Sequence, residues 1–284
     1  YGASAHVFDL PKENRSSVVA SGLWNPVVLK RMKKVWKADE MIETLQRVYP
    51  AMENWTGKNF YHPLPIRRIF HNAGEQNQWV AHSDHPSFSP YLNENISSVP
   101  EHIIAEHGSG MMKQTGRVKV KTMLEAVRSN LKASGNFTEE KFNWSQLKSH
   151  GDGVKYGSLA AHAVISCEGA QAALDESKLA VTGFAPVKGE VITVKLEKDL
   201  GTECIHQGHF MIGEGNQEAL VGATYAWEGF RDGPSSMKRA ELEEHVQKVW
   251  DGSFETLTHK AGVRPAVKDR KPLIGMHPKE KNVW

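Results

Sequence analysis

The sequence predicts an α/β fold in which strand–helix units at both ends enclose an antiparallel-sheet unit. Three observations carry this reading. Amphipathic helical stretches follow short apolar strands in the first half and recur near the end. A continuous apolar run, Ala160 to Cys167, meets Glu168-Gly169-Ala170, the pattern of a buried parallel strand entering a turn. Between Glu190 and Tyr225, alternating segments form strands, two of them joined by a Gly-rich turn.

Taken in order, Ala5 to Leu10 is a short strand ended by Asp9 and Pro11. Asp39 caps a helix that places Met41, Ile42, Leu45, Val48, Tyr49 and Met52 on one face, with Pro50 kinking it. Leu64 to Phe70 reads as an edge strand because Pro65 lacks a donor. Residues 82–110, rich in Ser, Pro, Asn, His and Gly, read as connections. After Gly116 a second helix aligns Val120, Met123, Leu124, Val127 and Leu131, and Gly135 stands at its C-cap. Glu190 to Leu196 alternates cleanly, and the strands around His209–Ile212 and Glu218–Tyr225 are joined through Gly213-Glu214-Gly215-Asn216. A last helix over about 237–250 buries Leu242, Val246, Val249 and Trp250.

Bulk properties narrow the function classes. At 284 residues the chain can bury roughly 75% of its unfolded surface and needs no metal or disulfide staple. A formal net charge of +2 gives no electrostatic case for nucleic acid. No apolar run reaches the roughly 18 residues of a membrane span. Two cysteines, Cys167 and Cys204, make neither a disulfide framework nor a cysteine-rich zinc site, which points to a reducing, cytoplasmic compartment. Cys167, at the end of an apolar run, reads as a buried structural thiol.

Several clusters admit two readings. Asp9, at a strand's carboxyl end, suits either a turn or a nucleotide ribose. Only eight residues precede it, whereas the Gly-rich turn of a dinucleotide fold lies about 20 residues upstream of such an acid; no intact G-x-G-x-x-G occurs. Ser16 to Pro26 is small and Gly-containing, so its backbone can approach a flat or anionic ligand, or it is an ordinary loop. The basic run Lys30–Lys37, with Trp36, reads as a solvated face rather than a phosphate or RNA contact. His206 and His209 mimic ligand spacing, but i, i+3 on a strand points to opposite faces, and no metal is expected. No G-x-S-x-G elbow supports serine catalysis. Arg264, fixed between Gly262 and Pro265, is either a bidentate carboxylate clamp or one half of an internal ion pair.

Read together, VFD ending at Asp9, SSVVASGLWNP from Ser16, LPIRRIF from Leu64, QTGRVKVKTMLEAV from Gln114, ISCEGA from Ile165, VKGEVITVKL from Val187, LVGATYAW from Leu220 and AGVRPAVKDRKPLIGMHP from Ala261 resemble the D-amino-acid oxidase and glycine oxidase family of FAD-dependent oxidoreductases. The motifs occur in the family's order along nearly the whole chain. GATY together with GVRP-x3-DR-x-PLIG is the most specific part, and within the family the likeness is to bacterial members.

The resemblance implies a Rossmann-like FAD-binding domain, incomplete, over 1–60, 107–185 and 258–284. An antiparallel α+β substrate domain over 61–106 and 186–257 would interrupt it. It implies that Asp9 meets the adenosine ribose and that Ser16, Ser17, Ala20, Ser21, Gly22 and Leu23 line the pyrophosphate and isoalloxazine. Glu168 and Gly169 would form the turn beside the flavin nucleotide. Arg264 would hold the substrate carboxylate, with Tyr225 and Phe210 walling the pocket. Some relatives place a tyrosine where Phe210 stands, which bears on substrate identity. The implied activity is oxidation of a C–N bond in a small amino acid or secondary amine, with hydride passing to FAD and then to oxygen or another electron acceptor. The alternatives are a tRNA-uridine modification oxidase or, if the chain's ends are natural, a cofactor-free binding module. The family's N-terminal Gly-rich turn and its segment beyond the strand at Asn282–Trp284 have no counterpart here. The chain is therefore expected to be an internal fragment that binds FAD weakly or not at all by itself.

Overall fold

The structure, a computed structural model, describes residues 3–10, 15–174 and 183–284. Pro11, expected to end the first strand, lies outside them. The frame is an eight-stranded sheet built from Ile66–Ile69 (β1), Leu92–Ser97 (β2), Ser109–Met112 (β3), Val187–Leu196 (β4), Cys204–Gln207 (β5), His209–Gly215 (β6), Glu218–Gly222 (β7) and Phe254–Arg264 (β8). Its spatial order is β8-β4-β7-β6-β5-β1-β3-β2, antiparallel throughout except where β5 runs parallel to β1. The helices are Ser16–Val19 (α1), Ala38–Thr56 (α2), Ala73–Ser83 (α3), Val120–Ala133 (α4), Ala170–Leu174 (α5) and Ser236–Val249 (α6). None of the described helices is long and apolar enough to cross a membrane.

Period-two alternation divides the sheet's side chains between two cores. On one face, Ile69, Ile192, Val194, Ile205, Met211 and Val221 pack beneath α6 with Leu242, Val246, Val249 and Trp250. On the other, Ile66, Leu92, Met112, Cys204 and Ile212 meet Trp79 of α3, Ile42 of α2 and the Val27–Leu29 segment. Full burial of each such aliphatic side chain contributes roughly 1.5–3 kcal/mol. The expected face of α6 is the one buried, and α4 covers the expected span, with Gly135 left-handed at φ +71° just beyond it. The hairpin also forms. Its two-residue turn is Asn216-Gln217, both left-handed, while Gly213 and Gly215 flank a register shift in β6.

Several expectations need correction. β1 is an interior strand, not an edge: Pro65 lies before its first residue, so no ladder donor is lost, and the Pro65 carbonyl still accepts from Cys204 N at 2.9 Å. Residues 82–110 contain β2 as well as loops. Helix α2 starts at a left-handed Lys37, with Asp39 in its first turn, and runs through Pro50 unbroken. The 163–166 run is extended and parallel to Asn282–Trp284, with Ser166 N donating to Trp284 O at 2.7 Å. It is not buried, and Ile165 is 74% exposed, because among the described residues it pairs on one side only. Cys167 is accordingly exposed, and Cys204 is the buried thiol. The domain boundaries expected at 107 and 258 do not divide the sheet: β3 lies within it, and β8 crosses residue 258 as one strand hydrogen-bonded along β4.

Two histidines are folded into this frame in the neutral form. Burial, reinforced by the neighbouring Arg68 charge, pushes His206 down to about 3, and its Nδ1 lies 3.2 Å from Arg68 Nη1, a donor only. Burial, with His209 beside it, pushes His245 down to about 3 as well. The unfolded chain protonates both near pH 6.5 while the folded chain resists, so the unfolded state binds more protons below that pH and stability falls on acidification. Urea unfolding is expected to show a loss on the order of 1–2 kcal/mol per histidine between pH 6.5 and 5. An unchanged midpoint over that range would contradict the neutral, buried state.

Candidate active site

β8 ends at Arg264, paired with Val187 of β4, so that Arg264, Gly262 and Gly189 share one face of the sheet. Gly189 is the floor beneath the guanidinium. A Cβ built there would lie 2.6 Å from Nη2 and 2.8 Å from Cζ of Arg264, closer than any side chain can stand. On the opposite side the Tyr225 ring centroid lies 4.7 Å from Cζ, a cation–π contact. The guanidinium is thus held flat, and its edge is what remains to be used. Nη1 is buried without a hydrogen-bond partner, and among the described residues no acid pairs with Arg264. Of the two readings open at the sequence level, the structure shows no ion-pair partner and leaves a buried donor unsatisfied, which is costly unless a ligand completes it.

Tyr225 follows directly from β7, and its ring is 59% exposed on the outer side. Phe210, on β6, stands opposite Gly222 of β7, with its Cζ 3.0 Å from where a Gly222 Cβ would be. It lies on the same face as Arg264, two strands beyond β4, packed against the core that holds Leu64 and Trp24. Arg264 and Tyr225 are therefore in contact, and Phe210 lies further along the same surface.

The small-residue segment reaches this face through α1. A Cβ on Gly262 would stand 3.1 Å from Ser16 Cα and 3.2 Å from Val19 Cβ, so α1, with Ser16 and Ser17, rests on the sheet two residues before Arg264. Ala20 ends the helix, its N–H donating to Ser16 O at 2.8 Å, and is exposed. Arg117 Nε holds the Ser21 carbonyl at 2.8 Å. Gly22 is left-handed at φ +72°, and any Cβ there would strike the Val118 carbonyl, so only glycine permits this crossing. Leu23 then pairs with Arg117.

Asp9 follows the strand Val7–Phe8, which pairs in parallel with Phe137–Thr138. Its carboxylate lies 2.7 Å from Arg15 and 3.4 Å from Arg128; hydrogen bonding from Arg15 holds it below the usual carboxylate range. Glu168 accepts from Trp144 Nε1 at 3.2 Å and from Ser166 Oγ at 3.1 Å, and Gly169 turns left-handed at φ +59° into α5. Trp144 packs edge-on against Phe142, which packs against Phe8, so one aromatic cluster joins the Glu168-Gly169 turn to the residue before Asp9. No group of three metal-ligating side chains occurs among the described residues. Lys34 and Lys37 of the basic run pair with Asp39 and Glu40.

Gly189 and its neighbours Lys188 and Glu190 were not among the expected site residues. The signal was present: a glycine inside an alternating strand marks close approach by another group. The alternation itself cannot say which group approaches.

The arrangement fits a flavin nucleotide with a small carboxylate: a buried guanidinium edge lacks a partner, and an α1 segment of small residues is seated beside it. The sequence profile described as FAD dependent oxidoreductase matches residues 14–284. Among solved structures, glycine oxidase from Geobacillus kaustophilus is similar at 17% identity and TM-score 0.75, covering 97% of this chain and 80% of that one. Iminodiacetate oxidase from Chelativorans sp. BNC1 is similar at 14% identity and TM-score 0.79, covering 99% and 82%. Glycine oxidase from Bacillus cereus ATCC 14579 is similar at 19% identity and TM-score 0.69, covering 98% and 82%. At these identities the structures speak for the fold, and the profile, spanning almost the whole chain, speaks for the family. The chain belongs to the DAO family of FAD-dependent oxidoreductases.

Proposed function

We propose that the protein oxidises the C–N bond of a small amino acid or secondary amine that carries a carboxylate. The observation that carries this reading is the unpartnered, buried Nη1 of Arg264, in a guanidinium held flat between Gly189 and Tyr225. A guanidinium edge matches a carboxylate in two parallel hydrogen bonds, and holding the carboxylate fixes the α-carbon beside it. FAD, when bound, supplies the hydride acceptor. Ser16, Ser17, Ala20, Ser21, Gly22 and Leu23 would hold its pyrophosphate and ring side, Asp9 its ribose, and Glu168-Gly169 its nucleotide end. Asp9 keeps acceptor capacity for this beside Arg15 and Arg128, since a carboxylate offers about four lone-pair sites. Tyr225 covers the clamp and shields it from water. Phe210 supplies an apolar wall without a hydroxyl, which favours a substrate apolar or small on that side. The neighbours named for oxidising glycine and iminodiacetate are in keeping with a small carboxylate substrate. The basic run around Trp36 is partly neutralised by Asp39 and Glu40 and gives no support to a tRNA substrate.

Anaerobic bleaching of the flavin absorbance in the FAD-supplied protein tests the reading without assuming an acceptor. Glycine or iminodiacetate is expected to bleach it and methylamine, which lacks a carboxylate, is not; bleaching by methylamine alone would overturn the assignment. Arg264→Ala is expected to raise KM for a carboxylate substrate at least about tenfold, the loss of a charge-assisted pair worth roughly 1.5–3 kcal/mol. Gly189→Ala should separate binding from folding. The atoms it displaces are the end of a flexible side chain, so stability should change by less than about 1 kcal/mol, while KM rises because the guanidinium loses its floor. A normal KM in a stable Gly189→Ala protein would show that the clamp does not need this close approach.

A further inference from the structure

β4 turns Gly189 toward Arg264, and the same pleat turns Lys188 and Glu190 to the reverse face. Both are deeply buried, at 5% and 1% exposure, with Nζ 3.1 Å from Oε1. Burying two charges is expensive, and an apolar pair of similar size serves stability as well or better. Their remaining bonds show where the pair acts. Lys188 Nζ donates to Gly233 O at 2.7 Å, and Ser235 N donates to Glu190 Oε2 at 2.9 Å. Along the backbone, Glu190 N donates to Thr224 Oγ1 at 3.0 Å, Thr224 N donates to Glu190 O at 3.2 Å, and Lys188 exchanges hydrogen bonds with Ala226 at 2.9 and 3.0 Å. His259 Nε2, from the adjacent β8, stands 2.8 Å from Glu190 Oε2. The segment 224–235 therefore leaves and returns on the same two residues, and Tyr225 lies between the backbone contacts at its start.

We propose that Glu190, paired with Lys188 on the reverse face of β4, is a positioning residue for the carboxylate clamp, closing the 224–235 segment so that Tyr225 stays over the Arg264 guanidinium. The proposal rests on the carboxylate reading of Arg264. Glu190 touches neither the substrate nor Arg264. It acts through the returning end of the loop, where its carboxylate takes the Ser235 amide at the N-cap of α6. With that end released, the loop is tied down at Thr224–Ala226 alone, and the ring that flattens the guanidinium gains freedom. A ligand that needs the guanidinium edge in one plane then binds a looser partner.

The test uses acetate as the probe in the FAD-supplied full chain, with affinity measured by calorimetry and amide hydrogen exchange followed by mass spectrometry. Glu190→Gln keeps the side chain's shape and an acceptor oxygen but removes the charge. It is expected to weaken acetate binding about tenfold and to speed exchange across 224–235 while α4 (120–133) exchanges as in the parent. A uniformly destabilised protein would speed exchange in α4 as well, and that pattern, or an acetate affinity within about twofold of the parent, overturns the proposal. Lys188→Met, which removes the bond to Gly233 O, is read by the same two measurements should Glu190→Gln fail to fold. Arg264→Ala separates the two claims. If it binds acetate as tightly as the parent, the carboxylate reading falls and exchange over 224–235 judges Glu190 alone; if it loses binding while Glu190→Gln does not, the positioning role falls and the clamp stands.

Discussion

A guanidinium set between a glycine backbone and a phenol ring keeps its charge while losing much of its water, and the site depends on that condition. The ring face returns part of the lost hydration, on the order of 0.5–2 kcal/mol for a cation–π contact. No carboxylate of the described chain completes Arg264, although acids partner Arg15, Arg67, Arg68 and Arg117 elsewhere. A buried cation left unsatisfied by its own protein is prepared for an anion from outside.

The sheet makes this possible because one strand serves two purposes. On β4, Gly189 removes a side chain where Arg264 must lie, and its neighbours on the reverse face reach the loop that carries Tyr225. Strand β8, paired along nearly the whole of β4, delivers Arg264 at its end and Gly262 as a seat for α1. The clamp and the small-residue segment are thus placed by the same ladder, and side-chain identity decides only which face is crowded and which is open.

The legible parts of the fold were those governed by local rules. Helix α6 and hairpin β6–β7 followed from a 3.6-residue stripe and from left-handed turn residues, both written within some fifteen positions. Where burial depends on a partner distant in sequence, the pattern misled. Pro65 suggested an edge, yet it sits one residue outside a strand flanked by β5 and β3. The 160–167 run looked buried because apolar composition does not count neighbours, and it pairs on one side among the described residues. His206 and His209 kept ligand-like spacing, but the first went to Arg68 and the second lies 5.2 Å, ring to ring, from His245.

By itself the sequence determined the alternation of β4, the backbone freedom of Gly22 and Gly189, the rigid setting of Arg264 before Pro265, and the order of motifs that marks the family. These are properties of single residues and short periods. Only the tertiary structure decided that Arg264 finds no acid, that Tyr225 and Gly189 enclose it, and that Lys188 and Glu190 tie down the loop behind them. Pairing across β8, β4 and β7 joins residues up to 75 positions apart, and which of many acids stands near one arginine is set by that pairing, not by any local pattern.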